Sequence, residues 1–161
     1  MTGRREEIVT RLEADAAATA DFFKGLTAAQ LAAQVYHEGA SWTARQVLAH
    51  LVTIEQSMQR LFSDMLAGIP DSSRGFDIER FNRSQPRKLD GLGLDELIAR
   101  FREVRARTVA KIASMSDEDL DREGWHPFHG AGRLERFLRW AYEHAQLHVD
   151  DVRRALEAAV V

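Results

Sequence analysis

The sequence contains no cysteine. This absence excludes disulfide bonds, metal sites built from thiolates and catalysis by a cysteine nucleophile. The sequence also has no apolar run long enough to cross a bilayer, and its start, MTGRREEIVTRLEADAAATA, lacks the apolar stretch of a signal peptide. We therefore expect a cytoplasmic protein with no membrane partner.

Segments with the alternating apolar pattern of a β-strand are also missing. Hydrophobic residues make up 45% of the chain and charged residues 29%, which is usual for a globular protein and unlike a disordered one. A chain of 161 residues is long enough to bury one core and needs no second one. We expect a single all-α domain that spans residues 1–161.

An excess of positive charge is lacking as well, because the formal net charge at pH 7 is -3. Nucleic-acid-binding domains usually carry a positive patch, so we expect no nucleic-acid partner. The arginines alternate with acidic residues, as in ARFREVRAR and GRLERFLRW, and this pattern is typical of solvated helix faces. Since homodimers are the commonest oligomers, self-association as a homodimer is expected.

The sequence does contain four long segments with the three- and four-residue apolar spacing of amphipathic helices. Their apolar residues extend from Ile8 to Phe23, from Val47 to Met65, from Leu97 to Met115 and from Leu134 to Leu156. The chain is therefore expected to form four long helices.

The second helix has its own start signal. Thr43 is placed to cap the helix, and Gln46, three residues later, completes a capping box. Trp42 and Val47 have the spacing of a hydrophobic staple. The sequence therefore predicts that this helix begins directly after Thr43.

A polar stretch of 26 residues, GIPDSSRGFDIERFNRSQPRKLDGLG, separates the second and third helices. Antiparallel neighbours need only about 2 to 8 linking residues, so this length predicts a crossover that returns along the bundle. The second and third helices would then run parallel. The expected fold is a four-helix bundle with one long crossover, which carries one short helix near residues 77–82.

Two histidines lie one helical turn apart in the fourth segment, in the stretch YEHAQLHVDD. His144 and His148 therefore share a face, and the apolar residues around them place that face toward the core. His50 interrupts the apolar face of the second helix in the same way. If these two helices run antiparallel, the helical rise brings all three imidazoles to nearly the same level.

Three inward-facing imidazoles predict a divalent metal site. Neutral imidazole is a ligand of several metals, so zinc, nickel, iron and manganese all stay open. Three protein ligands leave one coordination position free, which is typical of catalytic sites. A zincin protease is not expected, because Ala145 stands where its glutamate would be. The alternative is a structural bundle with three buried, hydrogen-bonded histidines.

Other residues are candidates for the surroundings of this site, and each has a structural alternative. Residues 36–38 and Trp42 would lie at the mouth of the site. The alternative is that residues 36–38 form an exposed connection and that Trp42 belongs to the hydrophobic staple. Asp150 and Asp151 would orient a ligand imidazole, unless they pair with the two arginines that follow them.

Two further features are expected to be structural. Glu55 is predicted to be a surface carboxylate that pairs with Gln59 or Arg60. The segment GWHPFHGAG holds His126 and His129, but helix rise places this segment at the opposite end of the bundle, more than about 15 Å from the other histidines.

The stretches GASWTARQVLAHLVTIEQSM and HAQLHVDDVRRAL resemble the DinB-like, or DinB/YfiT-like, metal-binding four-helix bundles. In that family a W-[ST]-x-x-x-x-x-x-H helix start and a C-terminal H-x-x-x-H supply three metal ligands. The resemblance covers nearly the whole chain, including the crossover. It implies an up-down-down-up bundle in which His50, His144 and His148 bind a divalent ion and water completes the shell.

The resemblance also implies a class of activity. Members of the superfamily include thiol S-transferases that use bacillithiol or mycothiol, and a mycothiol-dependent maleylpyruvate isomerase. This chain departs from the isomerase, which has a glutamate at the position of His144. We expect a metal-dependent thiol transferase, or a related hydrolase, that acts on a small molecule with a low-molecular-weight thiol as cosubstrate; no residue is assigned a catalytic role. The alternative is a non-catalytic bundle that binds or sequesters a metal or a small molecule.

Overall fold

The structure is a computed structural model of the chain and describes residues 2–160. Its helices are α1 (Arg4–Lys24), α2 (Ala28–Leu31), α3 (Ala44–Leu66), α4 (Ile78–Ser84), α5 (Leu94–Ala113) and α6 (Leu134–Val160). Its strands are β1 (Glu123–His126) and β2 (Gly130–Arg133), and short 3₁₀ helices cover Pro86–Leu89 and Glu118–Asp121. The four long helices, α1, α3, α5 and α6, are those that the apolar spacing predicts, and the predicted helical bundle is confirmed.

The crossover makes α3 and α5 parallel, as the sequence predicts. Gln59 Nε2 donates a hydrogen bond of 2.7 Å to the carbonyl of Val104. Further along both helices, Lys111 Nζ donates to Ser63 Oγ over 2.6 Å. Contacts that advance together along two helices require the helices to point the same way.

The remaining pairs complete an up-down-down-up arrangement. Arg4 lies 2.9 Å from Glu135, and Arg139 lies 3.5 Å from Glu7, so α1 and α6 are parallel. Met65, near the end of α3, packs against Gly124 of β1, and β1 pairs with the strand that leads into the start of α6. The helices α3 and α6 are therefore antiparallel, which is the condition under which the three predicted histidines meet.

The short helix of the crossover also forms. Asp77 caps α4 by accepting a hydrogen bond of 3.0 Å from the amide of Arg80. This confirms the prediction of a helix near residues 77–82. The helix forms within a polar stretch because a side-chain cap can start it there.

The hairpin of β1 and β2 departs from the all-helical expectation. The two strands pair antiparallel, with Glu123 opposite Arg133 and His126 opposite Gly130, and β2 leads directly into α6. Gly130 has a φ of 71°, a backbone conformation that glycine adopts without strain. Strands of four residues are too short to show an alternating apolar pattern, so the sequence does not reveal the hairpin.

The core lies between the four long helices and consists of their predicted apolar stripes. Ile8 and Leu12 of α1, Phe101 of α5 and Phe137 of α6 have no exposed surface. None of the helices within residues 2–160 combines the length and the apolar character that crossing a membrane requires.

The predicted capping box at the start of α3 is present. Thr43 Oγ1 accepts a hydrogen bond of 3.3 Å from the amide of Gln46, and Gln46 Oε1 accepts one of 3.1 Å from the amide of Thr43. Replacing Thr43 with alanine should lower the free energy of unfolding by about 1 kcal/mol, because one amide of the first turn loses its acceptor. Urea denaturation measures this change, and an unaltered midpoint would contradict a contribution of the cap to stability.

Candidate metal centre

Three histidine side chains converge between α3 and α6. The Nε2 atom of His144 lies 3.3 Å from Nε2 of His50 and 2.9 Å from Nε2 of His148. His50 and His148 are buried, whereas His144 is partly exposed. The structure thus brings together the three histidines that the sequence singles out, and the group that they form could hold a metal ion.

Two of the imidazoles are stacked against indole rings. Trp42 lies 4.3 Å from His50 between ring centroids, with the ring planes inclined by 27°. Trp140 lies 4.2 Å from His144, with the planes inclined by 25°. Trp42 therefore lines the site, as one of the two sequence interpretations proposes. The stacking restricts the rotation of both imidazoles.

Burial keeps the three imidazoles uncharged. It lowers the pKa of His50 and of His144 well below the ordinary value, and the neighbouring His148 lowers both further. Burial also lowers the pKa of His148 to about 4, although the nearby Asp151 opposes this effect. Near pH 7 all three histidines are therefore neutral, which is the form in which an imidazole binds a metal.

The donor set fits a divalent ion. Two nitrogens that each lie about 2.0 to 2.1 Å from one tetrahedral ion are about 3.3 Å apart, and Nε2 of His144 lies 3.3 Å from Nε2 of His50 and 2.9 Å from Nε2 of His148. The Nδ1 atom of His50 is buried and has no hydrogen-bond partner among the described residues. Three nitrogens that face one another in an uncharged pocket are suited to a shared cation.

A loop before α3 closes one side of the site. The amides of Val35 and Tyr36 both donate to the carbonyl of Trp42, over 2.9 and 3.1 Å. These bonds fold residues 33–44 back on themselves, so that the side chains of Tyr36 and Trp42 both reach the histidines. The other two members of the predicted mouth, residues 37–38, are exposed and do not contact the cluster.

The hydroxyl of Tyr36 contacts two groups of α6. Its Oη atom lies 2.6 Å from Nδ1 of His148 and 2.6 Å from Oδ2 of Asp151. Asp151 also accepts a hydrogen bond from Arg154, which is the pairing that one of the two sequence interpretations proposes, and it reaches His148 only through the hydroxyl of Tyr36. Burial and the bond to Asp151 raise the pKa of Tyr36. Burial raises the pKa of Asp151 too, but the hydrogen bonds from Tyr36 and Arg154 outweigh this effect and hold the pKa below its ordinary value.

Glu55 is buried, so the prediction of a surface carboxylate is wrong. Its Oε1 atom accepts a hydrogen bond of 2.8 Å from Arg105, and Arg105 also donates over 2.8 Å to Asp15. All three side chains are nearly inaccessible to solvent. Alternating charge is typical of solvated faces, but Arg105 follows the buried Phe101 by four residues and therefore points into the bundle.

The histidines of the GWHPFHGAG segment lie much closer to the site than the sequence predicts. The ring of His126 is 4.7 Å from that of Trp140, which in turn stacks on His144. One indole therefore separates His126 from the cluster, instead of about 15 Å of bundle. The prediction is wrong because the hairpin folds back beside the first turns of α6, where His126 also contacts Phe137 at 4.9 Å.

Comparisons with known proteins found a family and several similar structures. A profile of the DinB superfamily matches residues 11–152. The chain is similar in structure to YfiT from Bacillus subtilis, described as a probable metal-dependent hydrolase with an unusual four-helix bundle topology, with a TM-score of 0.79, 20% identity and coverage of 96% of this chain and 87% of YfiT. It is also similar to DfsB, described as a sibling lethal factor precursor, with a TM-score of 0.76, 18% identity and coverage of 96% of each chain. A comparison with curated proteins found no match.

A third similar structure corrects the expectation about partners. The colibactin self-resistance protein ClbS was solved in complex with double-stranded DNA, and the chain resembles ClbS with a TM-score of 0.67, 13% identity and coverage of 92% of this chain and 94% of ClbS. The expectation of no nucleic-acid partner is therefore wrong as an exclusion. Net charge describes the whole surface and does not decide what one part of a surface binds.

Proposed function

The chain belongs to the DinB superfamily, and on this premise we propose that it is a metal-dependent enzyme in which His50, His144 and His148 bind one divalent ion. The observation that carries this proposal is the convergence of the three Nε2 atoms, with His144 at 3.3 Å from His50 and 2.9 Å from His148. Three protein ligands leave a coordination position for a reactant.

The access to the cluster supports a catalytic role over a structural one. His50 and His148 are buried behind Trp42 and the loop of residues 33–44, whereas His144 is partly exposed. Since His144 is the least buried of the three by accessible surface, we place the approach of a reactant on its side. Structural metal sites are usually closed by a fourth protein ligand, and none of the described carboxylates or histidines joins these three.

The activity that we propose is transfer of a thiol to an electrophilic small molecule. A divalent ion held by His50, His144 and His148 would supply Lewis acidity, which would lower the pKa of a thiol or of water to near neutrality. The thiol releases its proton to solvent water. The sulfur of the thiolate then forms a bond to an electrophilic carbon, while the bond from that carbon to the leaving group breaks and the leaving group departs with its electron pair. The indoles of Trp42 and Trp140 and the hydroxyl of Tyr36 hold the three imidazoles in place during this step.

A second candidate is hydrolysis, in which water takes the place of the thiol. The description of YfiT as a probable metal-dependent hydrolase favours this candidate. Both reactions use the same activation of a nucleophile, so the cosubstrate distinguishes them.

Turnover of metal-loaded protein tests the proposal. We expect protein purified without a histidine tag to contain about one equivalent of a divalent metal and to join bacillithiol or mycothiol to a chromogenic aryl halide. Chelation should abolish this reaction, and metal addition should restore it. Colour from an ester substrate without thiol would identify the hydrolase instead.

Two outcomes would contradict the proposed function. Bound metal without turnover of either substrate would indicate the non-catalytic binding protein, and the absence of metal after reconstitution would indicate a structural bundle. His37→Ala is the matched control for metal content, because His37 is exposed in the loop beside the site and does not contact the cluster.

A further inference from the structure

We propose that Tyr36 and Asp151 act as positioning residues that hold His148 in the tautomer with the proton on Nδ1. The Nε2 lone pair of His148 then points at the other two imidazoles. The value of this tautomer for metal binding rests on the proposed function, but the tautomer itself is a property of the metal-free protein.

The hydroxyl of Tyr36 has a single proton and two neighbours that could accept it. A tyrosine hydroxyl donates one hydrogen bond, and Tyr36 Oη lies 2.6 Å from both Oδ2 of Asp151 and Nδ1 of His148. A carboxylate accepts hydrogen bonds and does not donate them, so the proton of Tyr36 goes to Asp151. Oη can then only accept from His148, and Nδ1 of His148 must carry the ring proton.

Arg154 holds the carboxylate of Asp151 in its charged form and in its orientation, through the oxygen that Tyr36 does not contact. Arg154 donates to Oδ1, whereas Tyr36 donates to Oδ2, so the two oxygens have different partners. Arginine is always charged in proteins, and its neighbourhood favours the carboxylate over the carboxylic acid. Asp151 is therefore the strongest acceptor within reach of the Tyr36 hydroxyl.

The backbone of the loop fixes Tyr36 in this place. The amide of Tyr36 donates to the carbonyl of Trp42 over 3.1 Å, and Gln34 Nε2 donates to the carbonyl of Tyr36 over 2.7 Å. The ring of Tyr36 meets that of His148 edge to face, with centroids 5.7 Å apart. The backbone bonds and the ring contact together hold the hydroxyl beside His148.

The tautomer of His148 determines which histidine donates the hydrogen bond between His144 and His148. His148 presents a free Nε2, so the hydrogen bond of 2.9 Å between Nε2 of His148 and Nε2 of His144 must be donated by His144. His148 is thus the imidazole of this pair that is ready to bind a cation without a change of tautomer.

Nitrogen NMR of the metal-free protein tests the tautomer directly. Long-range proton–nitrogen correlation should show protonated Nδ1 and unprotonated Nε2 for His148 in the wild type. In Tyr36→Phe we expect a shift toward the Nε2-protonated form, whereas Tyr142→Phe should leave His148 unchanged. Tyr142 is the only other tyrosine, is buried, and its hydroxyl contacts Arg139.

A second pair of variants keeps the test valid if Tyr36→Phe fails to fold. Asp151→Asn retains the size of the side chain but removes the charge, so it should also shift His148 toward the Nε2-protonated form. Asp150→Asn is its control, because Asp150 is exposed and pairs with Arg153 at 3.2 Å. A wild type with the proton on Nε2 would overturn the proposal, as would variants that leave the tautomer unchanged.

Metal affinity provides the second readout, measured by competition with a chromogenic zinc chelator. Loss of a group that orients a ligand histidine weakens metal binding by about 10- to 100-fold, and we expect this loss in Tyr36→Phe but not in Tyr142→Phe. If the wild type binds no zinc, the proposed function fails while the NMR result still decides the tautomer. If zinc binds equally well to Tyr36→Phe, the positioning role is wrong while the metal site stands.

Discussion

Replacing His148 with alanine is expected to reduce the bound divalent metal from about one equivalent per chain to none detectable, and to abolish metal-dependent turnover with it. Two imidazoles on different helices form a weak site compared with three, and His148 is the member of the cluster that Tyr36 already holds with Nε2 free. Elemental analysis after gel filtration measures the loss. Thermal denaturation of the metal-free proteins should show separately how far the variant is destabilised.

The variant His37→Ala is the control for a general effect of removing a histidine. His37 lies one residue from Tyr36 but is exposed, so metal content and turnover should stay at wild-type levels. Undiminished metal in His148→Ala would contradict the ligand assignment. Restored binding in His148→Ala when imidazole is added to the buffer would support the assignment, because free imidazole can occupy the vacated position.

Replacing Arg105 with methionine is expected to lower the free energy of unfolding by about 3 to 5 kcal/mol. The guanidinium donates to both buried carboxylates, each over 2.8 Å, and to the carbonyl of Leu12 over 3.0 Å. Without Arg105, the charges of Asp15 and Glu55 stay in the core and have no cation to pair with. Urea denaturation followed by circular dichroism measures the loss of stability.

Two further variants separate this charge effect from a loss of packing. Arg107→Met removes an exposed arginine of the same helix, paired with Glu103 at the surface, and should change stability by less than about 0.5 kcal/mol. The triple variant Asp15→Leu, Glu55→Met, Arg105→Met removes all three charges together and should recover most of the stability, because apolar replacements of a buried ion network are often neutral. A triple variant as unstable as Arg105→Met would mean that shape, and not unpaired charge, decides the effect.

The features that the sequence predicts well are those encoded within a few turns of one helix. The capping box of Thr43 and Gln46 depends on four consecutive residues, and the shared face of His144 and His148 depends on five. The convergence with His50 depends on α3 and α6 being antiparallel, a condition that the sequence left open. The length of the crossover predicts only that α3 and α5 are parallel.

The features that the sequence misses depend on partners that are distant in the chain. Tyr36 lies in a loop without regular spacing, and its partner Asp151 is 115 residues away, so no local pattern connects the two. The residues that flank Arg105 in the sequence are of the same kinds as those that flank the exposed arginines nearby. Only its position four residues after Phe101 distinguishes Arg105 from them. The hairpin is too short to leave a periodic signal.

His50 is far in the sequence from the other two histidines of the cluster, so a bound ion would cross-link the chain as well as take part in chemistry. His50 and His144 are 94 residues apart, so one ion shared between them would tie α3 to α6 and close the intervening chain into a loop. Closing a long loop restricts the unfolded chain more than closing a short one. A protein that has no cysteine would thereby gain the kind of cross-link that a disulfide provides elsewhere, but a reversible one that depends on metal supply.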